Sequence, residues 1–232
     1  MSHPNFVVAS FSTEARARLL PHLAVIRLES GDVLAETHER IRRVYFPHSG
    51  ILSCVVDLLG GGAIETGMIG RDGVFGGSQA LNSNISLNRV MVQVNGEASV
   101  IDPDKLRGLA LELPEIREAL VQHEQFFLAQ VQQTAACNAA HKVRQRLARW
   151  LIRMHELSGP NLELTQEFLA QMMGVSRPSV TDVARELQAA GLISYRRGHI
   201  QILDINKVTE WACECEQDMA EHRRQLFRDK TS

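Results

Sequence analysis

Between Leu164 and Ile193, apolar and polar side chains recur with helical spacing on both sides of a glycine. Thr165 and Ser176 are good N-caps, and Gly174 permits a tight turn between two short helices. Pro178 falls in the first turn of the second helix, where its missing N–H costs little. The inward face of that second helix is predicted to consist of Val180, Val183, Ala184 and Leu187.

The outward face of the second helix carries side chains that can read DNA bases. A guanidinium such as that of Arg177 can donate two hydrogen bonds to guanine, and the carboxylate of Asp182 can accept one from cytosine. Two helices around a glycine turn, the second polar outside, predict a helix-turn-helix with this helix in the major groove. The alternative is an ordinary helical hairpin. The other predicted contacts on this helix are Ser176, Pro178, Ser179, Thr181 and Arg185.

The residues after Gly191, ISYRRGHIQIL, predict a small hairpin with Arg196, Arg197 and His199 at its tip. Cationic side chains at such a tip suit contacts of a wing with phosphates. Residues 141–203 contain nine Lys or Arg against five Asp or Glu, although the whole chain carries a net charge of -2. The local excess of positive charge favours double-stranded DNA as the partner of this segment.

Upstream, residues 25–101 form short β-branched stretches separated by glycine-containing turns, including Gly60, Gly61 and Gly62. This pattern predicts an antiparallel roll or barrel of the jelly-roll kind, and RVMVQVNGEASVI is predicted as one of its strands.

Residues 115–154 contain neither proline nor glycine, which predicts a long amphipathic helix continuing to Ala140 and a further helix to Leu157. Its apolar stripe needs a partner, and a second copy of the chain is the simplest one. The alternative is packing within its own chain. The residues predicted to form the dimer contact are Ile116, Leu120, Phe127 and Val131.

Together these segments predict an α+β fold with four parts. Residues 1–112 would form an N-terminal antiparallel β-roll that acts as a sensory domain, and residues 113–140 a dimerisation helix. Residues 141–205 would form a winged helix-turn-helix, and residues 206–232 a C-terminal extension with one extra helix.

The chain resembles the Crp/Fnr family of bacterial regulators through LTQEFLAQMMGVSRPSVTDVARELQAAGLI, the basic helix KVRQRLARWLIRM, the long helix and the glycine-spaced roll. The resemblance implies a sensory roll of the cyclic-nucleotide-binding type and a homodimer that reads a palindrome. It implies that Thr165 and Gln166 touch phosphates, while Ser176, Arg177, Pro178, Ser179 and Asp182 lie where the family reads bases. Relatives that read the best-known operator have Glu at the position of Pro178 and Arg at that of Asp182. We therefore expect a different operator.

The ligand motif of the roll is degraded. Relatives that bind cyclic nucleotides have a glycine–glutamate stretch and an arginine followed by serine or threonine. Here the candidate effector-binding residues are Gly76, Gly77, Ser78 and Arg89, with no glutamate among them and valine after the arginine. A cyclic nucleotide is therefore not the expected ligand. Two alternatives remain open: an unknown signal at the roll, or control by abundance or a protein partner with no small effector.

The cysteines do not predict a metal or a cofactor. No cysteine precedes Cys54, so an N-terminal iron–sulfur cluster is excluded. Cys213 and Cys215 are two residues apart and would point to different sides of one helix, which favours packing thiols. His22, His38 and His48 are too dispersed for a metal cluster.

Other function classes lack their motifs. The roll has no HxH pair for a metal-dependent jelly-roll enzyme, and the chain has no GxxxxGK[ST] loop, nucleophile elbow or HExxH helix. No apolar run is long enough for a membrane span and no secretory signal is evident, so we expect a cytoplasmic protein. The chain is thus predicted to be a DNA-binding homodimeric transcription regulator and not an enzyme. RNA polymerase is a candidate partner, because activation would need a surface for it.

Overall fold

The computed structural model describes residues 3–228. Of these, residues 3–54, 67–128 and 225–228 form one compact unit, and residues 55–66 and 129–224 form a second. The domain boundaries expected at 112, 140 and 205 stay predictions. No helix in the described part of the chain combines the length and the apolar character needed to cross a membrane.

The strands of the roll form two sheets. One has the order β1-β7-β3 and the other β2-β6-β4-β5. The sheet pairings of β1 and β3 with β7, and of β2 with β6, are antiparallel. The bounds are β1 Ala24–Leu28, β2 Val33–Ala35, β3 Val44–Pro47, β4 Ile51–Asp57, β5 Ala63–Ile69, β6 Arg89–Val94 and β7 Gly96–Ile101.

The prediction of RVMVQVNGEASVI as one strand is wrong. It forms β6 and β7, which belong to different sheets and are separated by Asn95. A close backbone approach explains the break: a Cβ added at Gly96 would lie 2.3 Å from the carbonyl oxygen of Ser49. Alternation of valines cannot reveal such an approach.

Helices flank the roll and follow it. Before the sheets lie α1 Phe6–Ala9 and α2 Thr13–Leu19, and between β5 and β6 lies α3 Gly77–Leu81. After the sheets come α4 Pro103–Glu112 and α5 Pro114–Ala140. The core of the first unit includes the fully buried side chains of Phe46, Leu52, Val92 and Leu106. The predicted mixture of antiparallel strands and helices is confirmed.

The long helix α5 has the predicted extent, but its predicted contact residues need correction. Ile116 and Leu120 are 0% and 1% exposed in the core of the first unit, and Phe127 packs against the same core. These side chains pack inside their own chain because their stripe faces the roll. Val131 is half-buried. The exposed large apolar side chains of the helix are Val121 and Leu128.

The second unit contains the predicted winged helix-turn-helix. Its elements are α6 Val143–Ser158, β8 Asn161–Glu163, α7 Gln166–Met173, α8 Arg177–Ala189, β9 Ile193–Arg196 and β10 His199–Ile202. The C-terminal extension holds two helices instead of the one expected, α9 Ile205–Trp211 and α10 Cys215–Arg228. The side chain of Asp204 caps α9 by accepting a hydrogen bond from the backbone N–H of Lys207 at 3.1 Å.

Candidate nucleic-acid interface

The first helix of the motif, α7, has the predicted cap and the predicted end. Oγ1 of Thr165 accepts a hydrogen bond from the backbone N–H of Phe168 at 3.1 Å. The helix ends at Gly174, whose φ of 62° and ψ of 40° are left-handed. An added Cβ at this glycine would lie 3.0 Å from Cδ1 of Ile64. Backbone conformation and close packing therefore both favour glycine here.

The second helix, α8, is capped by Ser176. Its Oγ accepts a hydrogen bond from the backbone N–H of Ser179 at 3.3 Å and lies 2.8 Å from the hydroxyl of Ser179. Pro178 occupies the first turn as predicted. The predicted inward face is buried, with exposures of 0 to 8% for Val180, Val183, Ala184 and Leu187.

The outward face of α8 is exposed, and its charged side chains Arg177, Asp182 and Arg185 take part in ion pairs. Nη1 of Arg177 lies 3.6 Å from Oε2 of Glu167, with side-chain exposures of 64% and 71%. Nη1 of Arg185 lies 3.6 Å from Oδ1 of Asp182. Exposed ion pairs are weak, so DNA can replace these partners at small cost.

Thr181 has a different position from its neighbours. It is half-buried, and its Oγ1 lies 2.7 Å from Oε1 of Gln166 and 3.0 Å from the backbone carbonyl oxygen of Arg177. The hydroxyl thus holds the Gln166 side chain against the start of α8. This contact connects the two helices at the face predicted to meet DNA.

The wing forms as predicted. β10 pairs antiparallel with β9 and also with β8, a third strand that the sequence analysis did not identify. Arg197 and Gly198 have φ values of 44° and 85°, which fits a two-residue hairpin with two left-handed positions. Arg196, Arg197 and His199 are exposed. A Cβ added at Gly198 would lie 3.5 Å from Cγ2 of Thr165, so the wing tip lies beside the start of α7.

The hairpin formed by β4 and β5 packs against α7. Val55 and Ala63, at the ends of β4 and β5, form a buried cluster with Met172, and Phe168 packs against it. The indole Nε1 of Trp150 on α6 donates a hydrogen bond at 2.8 Å to Oε1 of Glu65, which is 6% exposed. No local sequence pattern indicates this support, because residues far apart in the chain form it.

The candidate effector residues lie in the first unit. Gly76 has a φ of 86° and precedes α3, and it lines a pocket together with His123 and Glu124. Oγ of Ser78 donates a hydrogen bond at 2.8 Å to Oε2 of Glu124. Gly77 is buried against Leu120, and Arg89 is half-buried on β6 and does not line the pocket. Asn88 and Val90, on either side of Arg89 in the chain, line the same pocket as Gly76.

The prediction that Cys213 and Cys215 share one helix is wrong. Helix α9 ends at Trp211 and α10 begins at Cys215, so Cys213 lies in the connecting turn. Both are buried against Cys137, and His141 completes a group of possible metal ligands. Burial raises the pKa of the Cys137 thiol, and burial with the neighbouring thiols raises that of Cys213 to about 12.

Known proteins share this architecture. Residues 145–211 match the family model of the Crp-like helix-turn-helix domain. A search of curated protein sequences finds no match. Among solved structures, FixK2 from Bradyrhizobium japonicum is 13% identical with a TM-score of 0.70, covering 82% of this chain and 98% of that one.

Two further structures are similar over the same extent. A Crp/Fnr-family transcriptional regulator from Thermus thermophilus is 24% identical with a TM-score of 0.65, covering 82% of this chain and 98% of that one. The c-di-GMP-responsive global regulator CLP of Xanthomonas campestris is 20% identical with a TM-score of 0.66, covering 83% and 100%. The resemblance is thereby confirmed, since the chain has a Crp-like helix-turn-helix DNA-binding domain and the fold of the Crp/Fnr transcription regulators.

Proposed function

We propose that the protein is a sequence-specific transcription regulator that binds a palindromic operator as a homodimer. The observation that carries the proposal is the exposed polar face of α8, which bears Arg177, Asp182 and Arg185. The start of α7 lies next to this face, because Thr181 on α8 contacts Gln166. The cationic wing tip in turn lies beside Thr165. Helix α8 would read the bases, while the start of α7 and the wing tip would contact the phosphate backbone of the same duplex.

Base reading is assigned to the N-terminal half of α8. Arg177 is suited to a bidentate contact with O6 and N7 of guanine, and Asp182 to accepting from N4 of cytosine. Each such contact discriminates against a wrong base by about 1–3 kcal/mol. Pro178 offers no polar side-chain atom to a base, so the half-site differs from that read by relatives with Glu at this position.

Phosphate contacts are assigned to the start of α7 and to the wing. Free backbone N–H groups at a helix N-terminus bind anions, and Thr165 and Gln166 lie there. Arg196, Arg197 and His199 extend from the wing tip. These contacts add affinity in a salt-dependent manner without selecting a sequence.

Dimerisation is assigned to the exposed face of α5. Val121 and Leu128 are 45% and 54% exposed and seven residues apart, which places them on one side of the helix. Two such helices packed together would bury both side chains. The two copies of α8 would then read half-sites about one helical turn, roughly 34 Å, apart.

The hydrogen bond between Ser78 and Glu124 bears on which signal could act on the roll. The Ser78 hydroxyl donates to the Glu124 carboxylate, so an anion beside Ser78 would meet a negative charge. This contact disfavours a cyclic phosphate at residues 76–78. It favours the second candidate, a regulator controlled by abundance or by a protein partner. A cytoplasmic location and contact with RNA polymerase belong to the same proposal.

The test is selection of bound duplexes from a random DNA library by the full-length protein without added ligand. We expect enrichment of a palindrome whose half-sites lie about one turn apart. Arg177→Ala should weaken binding and relax the preference at one position of each half-site. Arg42→Ala, which removes an exposed arginine of the first unit, should leave both unchanged.

Absence of enrichment would lead to a repeat with cyclic nucleotides, c-di-GMP and cell extract. Enrichment only with a nucleotide would contradict the ligand-independent version and retain the regulator. Failure in every condition, with the protein folded by circular dichroism, would contradict sequence-specific binding itself.

A further inference from the structure

Three cysteines and a histidine from three separate segments converge in the second unit. Cys137 lies in the last turn of α5, and His141 follows that helix directly. Cys213 lies in the turn after α9, and Cys215 is the first residue of α10. The sequence separates the two pairs by more than seventy residues, so only the fold brings them together.

The ligand atoms of these residues are spaced closely enough to share one ion. The three Sγ atoms and one imidazole nitrogen all lie within 4.8 Å of one another. Sγ of Cys137 is 3.5 Å from Sγ of Cys213, and Sγ of Cys215 is 3.6 Å from Nδ1 of His141. Tetrahedral zinc with Zn–S bonds of about 2.3 Å has sulfur atoms about 3.8 Å apart. Small side-chain shifts would therefore bring the four atoms into a coordination shell.

The histidine is oriented as a ligand would be. Its Nδ1 faces Cys215, while its Nε2 lies 3.1 Å from Oε1 of Glu214. A carboxylate that accepts from Nε2–H leaves the lone pair of Nδ1 free for a cation. Carboxylate–histidine–zinc arrangements of this kind are typical of protein zinc sites.

The surroundings exclude water and contain compensating charge. Cys137, Cys213 and Cys215 are 1%, 4% and 2% exposed. Three thiolates around a divalent cation leave one net negative charge. Arg149 and Arg146 both interact electrostatically with Cys137, and they offset that charge.

We propose that Cys137, His141, Cys213 and Cys215 bind one structural zinc ion. Three thiolates and one imidazole form a complete tetrahedral set with no position left for substrate, which is the composition of structural zinc sites. The ion cross-links the end of α5 to the α9–α10 segment. The C-terminal helices are thereby held to the DNA-binding unit by coordination bonds as well as by packing.

A disulfide between Cys137 and Cys213 is the competing chemistry. It would leave the placement of Cys215, His141 and Glu214 without a role. Zinc binding accounts for all four ligands and for the carboxylate.

The test measures metal in the full-length protein after loading with zinc sulfate and dialysis. Inductively coupled plasma mass spectrometry should find close to one zinc per chain. Cobalt(II) in place of zinc should give the intense visible bands of a tetrahedral site and thiolate-to-cobalt charge transfer. Cys213→Ser and His141→Ala should lose both signals, whereas Cys54→Ser, a buried cysteine of the first unit, should keep them.

A milder variant covers the case in which the ligand variants fail to fold. Glu214 is exposed, and Glu214→Ala should lower zinc affinity by about 10- to 100-fold in a chelator competition while keeping the stoichiometry at saturation. Glu210→Ala, at another exposed glutamate nearby, should not change the affinity. Wild-type protein that retains no metal after loading, or that contains a Cys137–Cys213 disulfide by mass spectrometry, would overturn the proposal.

Discussion

At the scale of single residues, Arg177, which is proposed to read a base, already pairs with a carboxylate, and this group is negatively charged like the DNA backbone. Glu167 holds Arg177 at 3.6 Å across the exposed surface between α7 and α8. On the proposed interface this carboxylate would lie near the phosphates, where it repels the backbone. Glu167 thus opposes binding in two ways, by repulsion and by competing for the guanidinium.

Glu167→Gln should therefore bind DNA more tightly than the wild type. An exposed ion pair is worth about 0.2–1 kcal/mol, so we expect a gain of up to about fivefold in affinity per half-site at low salt. Fluorescence anisotropy with the selected operator measures it, and the gain should shrink as salt rises. Asp218→Asn removes the same charge from an exposed position on α10 and should change affinity far less. Equal effects of both variants would mean that only net charge matters.

Residues with local roles were predictable from the sequence, whereas residues with tertiary roles were not. Thr165, Gly174 and Ser176 act on the backbone of their own helices, and the structure places each of them as predicted. The pairing of Glu167 with Arg177 depends on how two helices cross. The same limit explains why the proposed metal ligands were not predicted. The two-residue spacing of Cys213 and Cys215 argues against binding one ion only if both residues lie in one helix.

At the scale of elements, the turn of the helix-turn-helix depends on a hairpin far away in the sequence. Ile64, on β5, lies so close to Gly174 that a Cβ there would meet it at 3.0 Å. Gly191, after α8, has a similar φ of 72° but nothing within 4 Å of its Cβ position. Comparing the two glycines therefore distinguishes two reasons for glycine at a turn. Both positions need a left-handed backbone, but only at Gly174 is there also no room for a Cβ.

Gly174→Ala should destabilise the protein more than Gly191→Ala. Both variants force an L-residue into the left-handed region, at a cost of about 1–2 kcal/mol each. Gly174→Ala adds a close contact with Ile64, for which overpacking costs about 1–3 kcal/mol more. Urea unfolding followed by circular dichroism measures the difference in the free energy of unfolding.

A double variant identifies the source of the additional cost. In a protein that already carries Ile64→Ala, Gly174→Ala should lower the free energy of unfolding by less than it does in the wild type, because the smaller side chain makes room for the new methyl group. The cost of Gly191→Ala in the free energy of unfolding should be the same with and without Ile64→Ala. If the two glycine variants were equally unstable, the hairpin would not contribute to the turn.

At the scale of the whole molecule, the order of the parts could be predicted from the sequence. Which side of α5 is exposed to solvent could not. The strand-rich segment, the long helix and the winged motif all appear in the predicted order. However, α5 carries apolar side chains on more than one side. Ile116 and Leu120 complete the core of the first unit, and Val121 and Leu128 remain exposed. Helical spacing identifies a stripe but cannot say whether its partner is the same chain or another copy.

Leu128→Lys should therefore convert the proposed dimer into monomers, because it would place a charge in the contact between two α5 helices. Sedimentation velocity should show the mass of one chain, and operator affinity should fall because each half-site would bind alone. Leu111→Lys is the matched control, since Leu111 on α4 is even more exposed, at 75% against 54%. It should leave both mass and affinity unchanged. A dimer that persists in Leu128→Lys, with Val121→Lys giving the same result, would show that the chains associate through another surface.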